Sequence, residues 1–270
     1  MNTGADYLQR LEARLRAHGR LAIAISGGVD SLTLATAAHR CPGVAAEMFH
    51  AVSPAVPAAA TRRVRRLAAR EGWRLHLIDA GEMRDPRYLS NPVDRCYYCK
   101  HRLYETISGL TSWPVASGAN CDDLNDYRPG LTAAAEHGAV HPFIEAQMDK
   151  AAVRAAARAL GLGELAELPA SPCLSSRIET GLPIAEATLA AVDRAESALH
   201  GRARTVRCRV RPGGIEVQVD GETLARWSPA ERLAVRRQVA EAFGDGCAAP
   251  SRVSLAPYRR GSAFVGTKQP

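Results

Sequence analysis

The chain has 270 residues, 46% of them hydrophobic and 23% charged, the balance of a globular protein with enough chain to bury a core in one large domain or two smaller ones. No apolar run approaches the ~18 residues a membrane-spanning helix needs. The first twenty residues carry charge through a helical pattern in place of the apolar stretch of a secretory signal, so a cytoplasmic location with no membrane partner is expected. The net charge of +7 is almost wholly arginine, since the lysines are Lys100, Lys150 and Lys268 alone. Arginine's planar fork suits phosphate and carboxylate, although a composition biased toward Ala and Arg gives the same excess.

Leu8, Leu11 and Leu15 recur at helical spacing, and LAIAIS then reads as a buried parallel strand. A helix is expected over 31–40, a strand over 44–52, a basic-faced helix over 58–71 and a third strand over 75–78. This alternation predicts an α/β fold, a parallel sheet flanked by helices. Residues 79–94 read as a long loop and 97–110 as a helix. PVASGAN supplies another strand end, DDLNDYRPG is polar punctuation, 150–160 is an Ala-rich helix, and the Pro-rich stretch 168–183 breaks all periodicity. The texture then changes to a helix over 186–199, two alternating strands around a Pro-Gly-Gly turn, a helix over 229–243 and a short terminal segment. The boundary falls near Pro183, giving domains 1–182 and 183–270, the second a small α+β unit.

Ser26-Gly27-Gly28-Val29-Asp30-Ser31 follows the first strand and opens a helix, the context of a phosphate-binding loop. Glycines let the backbone approach a ligand, and the helix start presents unpaired N–H donors to an anion. A plain tight turn needs one glycine, not paired glycines with two hydroxyls and a carboxylate. No Walker A pattern occurs, and Gly161-Leu162-Gly163-Glu164-Leu165-Ala166 follows a helix, so it reads as that helix's C-terminal turn.

Seven cysteines without the dense spacing of a disulfide scaffold read as thiols, metal ligands or catalysts. Cys96 and Cys99 form the C-x-x-C, open to three readings: a metal half-site, a redox dithiol or two packed thiols. A zinc site needs a second pair, which the sequence lacks. Cys173 stands beside Arg177 in Ser171-Pro172-Cys173-Leu174-Ser175-Ser176-Arg177, where a guanidinium favours thiolate. Cys41, Cys208 and Cys247 read as small hydrophobes, and Cys121 is a weaker candidate bordering Asp122 and Asp123. Arg207 and Arg209 alternate along one strand and so share a face.

SGGVDS resembles the PP-loop of the ATP pyrophosphatases, which split ATP between its α and β phosphates and form a substrate adenylate. That resemblance implies that Ser26, Gly27, Gly28 and Ser31 hold pyrophosphate and that Asp30 helps bind Mg²⁺. With NPVDRCYYCK, GANCDDLNDYRPG, SPCLSSRI and YRRGS following in order, the chain is similar from Ser26 to Ser262 to the LarE family of PP-loop sulfur transferases. The resemblance implies an adenylating domain, a small C-terminal domain and an oligomer. The implied substrate is a pyridinium-3,5-biscarboxylic acid mononucleotide, whose carboxylates become thiocarboxylates for a nickel-pincer cofactor. Arg207, Arg209 and Arg177 are matched to binding its phosphate. Two sulfur mechanisms are implied. A lone cysteine at Cys173 gives up its own sulfur, or Cys96, Cys99 and Cys173 hold a 4Fe-4S cluster carrying an extra sulfide and supplied by a sulfide donor or cluster-assembly proteins.

The chain reads Ser117-Gly118-Ala119-Asn120 where the family has Asp-Gly-Thr-Asn, and Glu179-Thr180-Gly181 where it has Pro-Tyr-Gly, departures that leave room for another carboxylate, as in natural-product sulfur chemistry. A tRNA thiolation enzyme would exploit the positive charge, but the basic residues are scattered and no RNA-binding appendage stands out. A non-catalytic nucleotide-binding regulator has no need of three matched cysteines, and an ammonia-using synthetase ordinarily needs an ammonia source that this length does not hold.

Overall fold

The computed structural model describes residues 3–125, 128–170, 172–244 and 252–264. In chain order the helices and strands are α1 (Gly4–His18), β1 (Arg20–Ala24), α2 (Val29–Arg40), β2 (Ala45–Ala51), α3 (Ala58–Glu71), β3 (Leu75–Ile78), α4 (Pro86–Leu89), α5 (Arg95–Leu110), β4 (Val115–Ala116) and α6 (Pro129–Glu136). There follow α7 (Pro142–Glu145), α8 (Lys150–Ala159), α9 (Gly163–Ala166), α10 (Glu186–Ala198), β5 (Val206–Arg211), β6 (Gly214–Val219), α11 (Gly221–Arg226), α12 (Pro229–Gly244) and β7 (Val253–Pro257). Among the described residues no helix is long and apolar enough to cross a membrane. The chain divides into two compact units: Met1–Glu82 with Cys96–Ser171, and Met83–Arg95 with Pro172–Pro270.

The first unit is the expected α/β fold. Its sheet has the order β3-β2-β1-β4, with every pair parallel. On β1, Leu21 and Ile23 point into a core with Leu11 and Leu15 of α1, Leu32 and Leu34 of α2 and Val153 of α8. Ala22 and Ala24 point the other way, against Tyr104 and Ile107 of α5. Period-two alternation thus buries both faces, which is why LAIAIS is apolar throughout. Each fully buried Leu or Ile contributes roughly 1.5–3 kcal/mol. The chain order reverses between β1 and β4, and in open parallel sheets the crevice beyond the strand ends at such a reversal is where ligands bind. SGGVDS leaves β1 at that point, and Ser117–Asn120 leaves β4 there.

The second unit holds the three-stranded sheet β5-β6-β7, with β5 antiparallel and β7 parallel to β6. Helices α10 and α12 pack on it, burying Leu189, Val192, Val235 and Val239 with Cys208, Val217 and Val219. The terminal segment is therefore strand β7, and the polar punctuation holds a 3-10 turn, Cys121–Asn125, and the start of α6. The loop expected over 79–94 contains a 3-10 turn and α4.

Part of that loop belongs to the second unit, which begins at Pro172, whereas the sequence places its boundary near Pro183. Asn91 clasps it there. With φ of +54°, it donates its amide to Glu179 O at 2.8 Å and accepts from Gly181 N at 2.9 Å, while Tyr88 Oη meets Ser175 Oγ at 2.6 Å. Asparagine tolerates this left-handed conformation better than most side chains.

Candidate functional site

The phosphate-loop candidate is built by β1 and α2. Gly27 has φ of +81°, and a Cβ there would lie 3.0 Å from the Ala60 carbonyl oxygen on α3, so both conformation and space require glycine. Gly28 is the N-cap of α2 and offers no side-chain cap. The helix start is therefore open to an anion, which its dipole favours. Ser31 Oγ donates to Gly28 O at 3.2 Å, accepts from Ser26 N at 3.1 Å and lies 3.2 Å from Ser26 Oγ, while Gly28 N donates to Ser26 Oγ at 3.3 Å. The two hydroxyls thus hold the loop in shape rather than capping the helix. From β4, Gly118 approaches so closely that a Cβ would stand 2.8 Å from Ser31 N, which ties the second loop of the crevice to the first.

Three cations or imidazoles distant in sequence support this loop. Lys150 Nζ, from the first turn of α8, donates to Asp30 Oδ1 at 2.6 Å and Oδ2 at 2.5 Å. Arg63 Nη1 donates to Gly27 O at 2.6 Å, and burial, with Arg66 nearby, pulls the Arg63 pKa down. His50 is fully buried and bridges Ile25 O at 2.8 Å and Thr61 Oγ1 at 2.9 Å, so it fixes the end of β1 to α3. Burial pushes its pKa below the usual histidine value. Sequence reasoning missed all three. Neither periodicity nor spacing marks any of them, and the scarcity of lysine sets Lys150 apart only together with Lys100 and Lys268.

Cys96 and Cys99 lie three residues apart at the start of α5, on one helical face, and both are half-buried. Cys173 belongs to the second unit, where it precedes the 3-10 turn Leu174–Arg177. Within either unit, among the described residues, no three His, Cys, Asp or Glu side chains gather as a metal site. Cys41 and Cys208 are buried, with thiol pKa values raised by burial, as expected of small hydrophobes. Burial and the charges of Asp149 and Asp122 also raise Cys121, which disfavours its thiolate. Cys247 lies outside the described residues.

Arg177 is 1% exposed and acts as a strut of the Cys173 loop. Its Nε and Nη2 grip Glu196 at 3.0 and 2.8 Å, and Nη1 donates to Pro172 O at 2.5 Å and Cys173 O at 3.0 Å. Burial alone would lower its pKa, but the Glu196 carboxylate outweighs that and raises it. The same carboxylate accepts from Cys208 N at 2.9 Å, locking the loop to β5.

Arg209 differs. It is 4% exposed and, among the described residues, donates to neutral acceptors: Ser176 O at 2.9 Å, Gln218 Oε1 at 3.3 Å and Arg259 O at 3.4 Å. Burial, with the Arg177 charge beside it, lowers its pKa to about 10. Arg207, on the same face of β5, is lowered by the same two causes. Arg177, Arg207 and Arg209 thus stand close enough for their charges to act on one another beside Glu196, and guanidiniums gathered in this way suit a dianion. Arg211 extends the row but is neutralised by Glu179 at 2.8 Å and Glu216 at 3.0 Å.

A doubly wound parallel sheet with SGGVDS at its reversal point defines an α/β protein of the PP-loop class. No family model matches the chain. It is 32% identical over 215 residues, covering 77% of this chain and 78% of the relative, to the pyridinium-3,5-bisthiocarboxylic acid mononucleotide synthase of Lactiplantibacillus plantarum. The chain belongs to that synthase's family, the LarE family. It is also 40% identical over 181 residues to the uncharacterized protein slr1717 of Synechocystis sp., spanning 66% of this chain and 67% of the relative.

Proposed function

We propose that the protein is an ATP-dependent sulfur transferase that makes the thiocarboxylates of a nickel-pincer cofactor precursor. The observation that carries this reading is the open, uncapped start of α2 behind paired glycines, with a carboxylate in its first turn, in a chain related to a bisthiocarboxylic acid mononucleotide synthase. In this reading, the N–H donors of the loop and the hydroxyls of Ser26 and Ser31 bind the β and γ phosphates, and Asp30 is a hard oxygen ligand suited to Mg²⁺. A substrate carboxylate attacks the α phosphate, pyrophosphate leaves, and an acyl adenylate forms. A sulfide then attacks the acyl carbon and AMP departs with the C–O bond electrons, leaving a thiocarboxylate. Loop donors preorganised toward the leaving pyrophosphate lower the barrier to the first step.

The second unit, with Arg207 and Arg209 on one face of β5, suits the phosphate of a pyridinium-3,5-biscarboxylic acid mononucleotide. We assign the first unit the adenylating role and the second unit substrate binding and self-association, and expect a homo-oligomer working in the cytoplasm without nucleic acid. Cys96, Cys99 and Cys173 are the proposed ligands of a 4Fe-4S cluster. Thiolates are the donors that iron–sulfur clusters take, and the half-buried Cys96–Cys99 pair sits at the spacing of one helical face. Such a cluster, when bound, supplies sulfide, delivered by a sulfide donor or assembly proteins.

The test is anaerobic incubation with ATP, Mg²⁺, sulfide and the mononucleotide, following AMP, pyrophosphate and thiocarboxylate. Asp30→Ala should abolish turnover, and ADP with inorganic phosphate as products would overturn the assignment. Iron content and intact mass of wild type, Cys96→Ala and Cys173→Ala separate the two sulfur mechanisms. Full sulfur transfer by Cys96→Ala, with Cys173 lighter by the mass of hydrogen sulfide, would establish the sacrificial cysteine instead.

A further inference from the structure

Lys150 is delivered to the phosphate loop from a fixed platform. Its main-chain N–H donates to Asp122 Oδ2 at 3.2 Å, and Asp149 caps α8 by accepting from Ala152 N at 2.7 Å. From there the ammonium sits astride both oxygens of Asp30, at 2.6 and 2.5 Å. These are the oxygens a magnesium ion would use. An ammonium and a magnesium ion cannot occupy the same edge of one carboxylate, so loading with Mg·ATP requires Lys150 to move. Both side chains are partly open to solvent, 34% for Lys150 and 26% for Asp30, so the exchange needs no unfolding.

The residue type matters. The chain has 35 Lys and Arg residues and uses lysine at only Lys100, Lys150 and Lys268. An arginine here would grip Asp30 through a rigid fork of two parallel hydrogen bonds, whereas a lysine is a point charge on a flexible stem that can release and swing.

We propose that Lys150 is the displaceable counter-ion of Asp30. It holds the carboxylate in position while no nucleotide is bound, yields it to the magnesium ion, and then pairs with the β and γ phosphates. Lys150 is thus a positioning residue in the empty loop and a phosphate ligand in the loaded one. This inference rests on assigning the loop to ATP.

The test is calorimetric binding of Mg·ATP and of AMP to wild type, Lys150→Met and Lys150→Arg, with the Mg²⁺ dependence of ATP binding measured for each. Loss of a charge-assisted phosphate contact should weaken Mg·ATP binding to Lys150→Met by roughly ten- to a hundredfold, while AMP, which lacks those phosphates, binds within about twofold of wild type. Lys150→Arg should need several-fold more Mg²⁺ for half-saturation, because the fork does not let Asp30 go. Melting curves confirm that the variants are folded. Equal loss of ATP and AMP affinity in Lys150→Met, or an unchanged Mg²⁺ requirement in Lys150→Arg, overturns the proposal and leaves the ATP assignment standing. Failure of wild type to bind Mg·ATP removes both.

Discussion

Arg177 and Arg209 are both buried and both hydrogen-bond to Ser176, yet methionine in place of each should have very unequal consequences for stability. Arg177→Met leaves the Glu196 carboxylate, whose side chain is 13% exposed, without its bidentate partner, and it deprives the carbonyls of Pro172 and Cys173 of a donor. Breaking a buried pair from one side costs about 3–5 kcal/mol. Among the described residues Arg209 donates to no carboxylate. Its pKa is lowered from 12.5 to about 10, a displacement worth about 3 kcal/mol of unfavourable charge burial at neutral pH. Arg209→Met relieves that cost and gives up one good hydrogen bond and two long ones, an offset of about 1–3 kcal/mol. The ligand-free variant should therefore unfold in urea within about 1–2 kcal/mol of wild type. Phosphate separates the two further. At tenfold its dissociation constant it should stabilise wild type by about 1.4 kcal/mol, and it should do nothing for Arg209→Met. Equal destabilisation by the two substitutions would refute the view of Arg177 as strut and Arg209 as an anion site awaiting its ligand.

Other expectations follow from single residues. His50 is held neutral by burial, and an unfolded histidine protonates near pH 6.5, so the stability it contributes is present above that pH and is lost as pH falls below it. Melting temperatures should drop from pH 7.5 to 5, and less steeply in His50→Gln. Gly118→Ala drives a Cβ to 2.8 Å from Ser31 N and should displace the phosphate loop, reducing ATP binding at least tenfold by calorimetry while the far-ultraviolet spectrum stays unchanged. Cys208 is fully buried against β6, so Cys208→Ala should cost roughly 1–2 kcal/mol in urea unfolding and leave iron content unaltered, in contrast to Cys96→Ala.

The parts of the fold that were legible are those governed by local pattern. Strands β1 to β3 and helices α3, α5 and α8 announce themselves through periodicity, and the phosphate loop through glycines between a strand and a helix. Strand β4 has only two residues, Val115–Ala116, too short for any alternation, and β7 reads as irregular because its pairing with β6 is set by distant chain. The membership of Met83–Arg95 in the second unit depends on Asn91 bonding to Glu179, 88 residues away, which no spacing reveals. The pairing of Lys150 with Asp30 spans 120 residues and was equally hidden. Arg207 and Arg209 were visible as a pair on one strand face, but the contrast with Arg177 comes from Glu196, a helix residue with nothing in its surroundings to mark it.

Both units leave a polar need unmet, and this links their stability to ligands. In the first, the start of α2 has no side-chain cap, and the serines that could provide one are engaged in shaping the loop. In the second, Arg209 is buried and, among the described residues, donates to neutral acceptors. An anion would complete each arrangement, and on the proposed assignment ligand binding and local stability should be coupled. The coupling should be local, because each anion completes only its own site. Hydrogen exchange should therefore show pyrophosphate slowing amides at the β1–α2 junction, and inorganic phosphate slowing those of β5 and the turn Leu174–Arg177. Protection by pyrophosphate that is strongest along β5, or by phosphate that spares it, would mean that the anion sites have been assigned to the wrong elements.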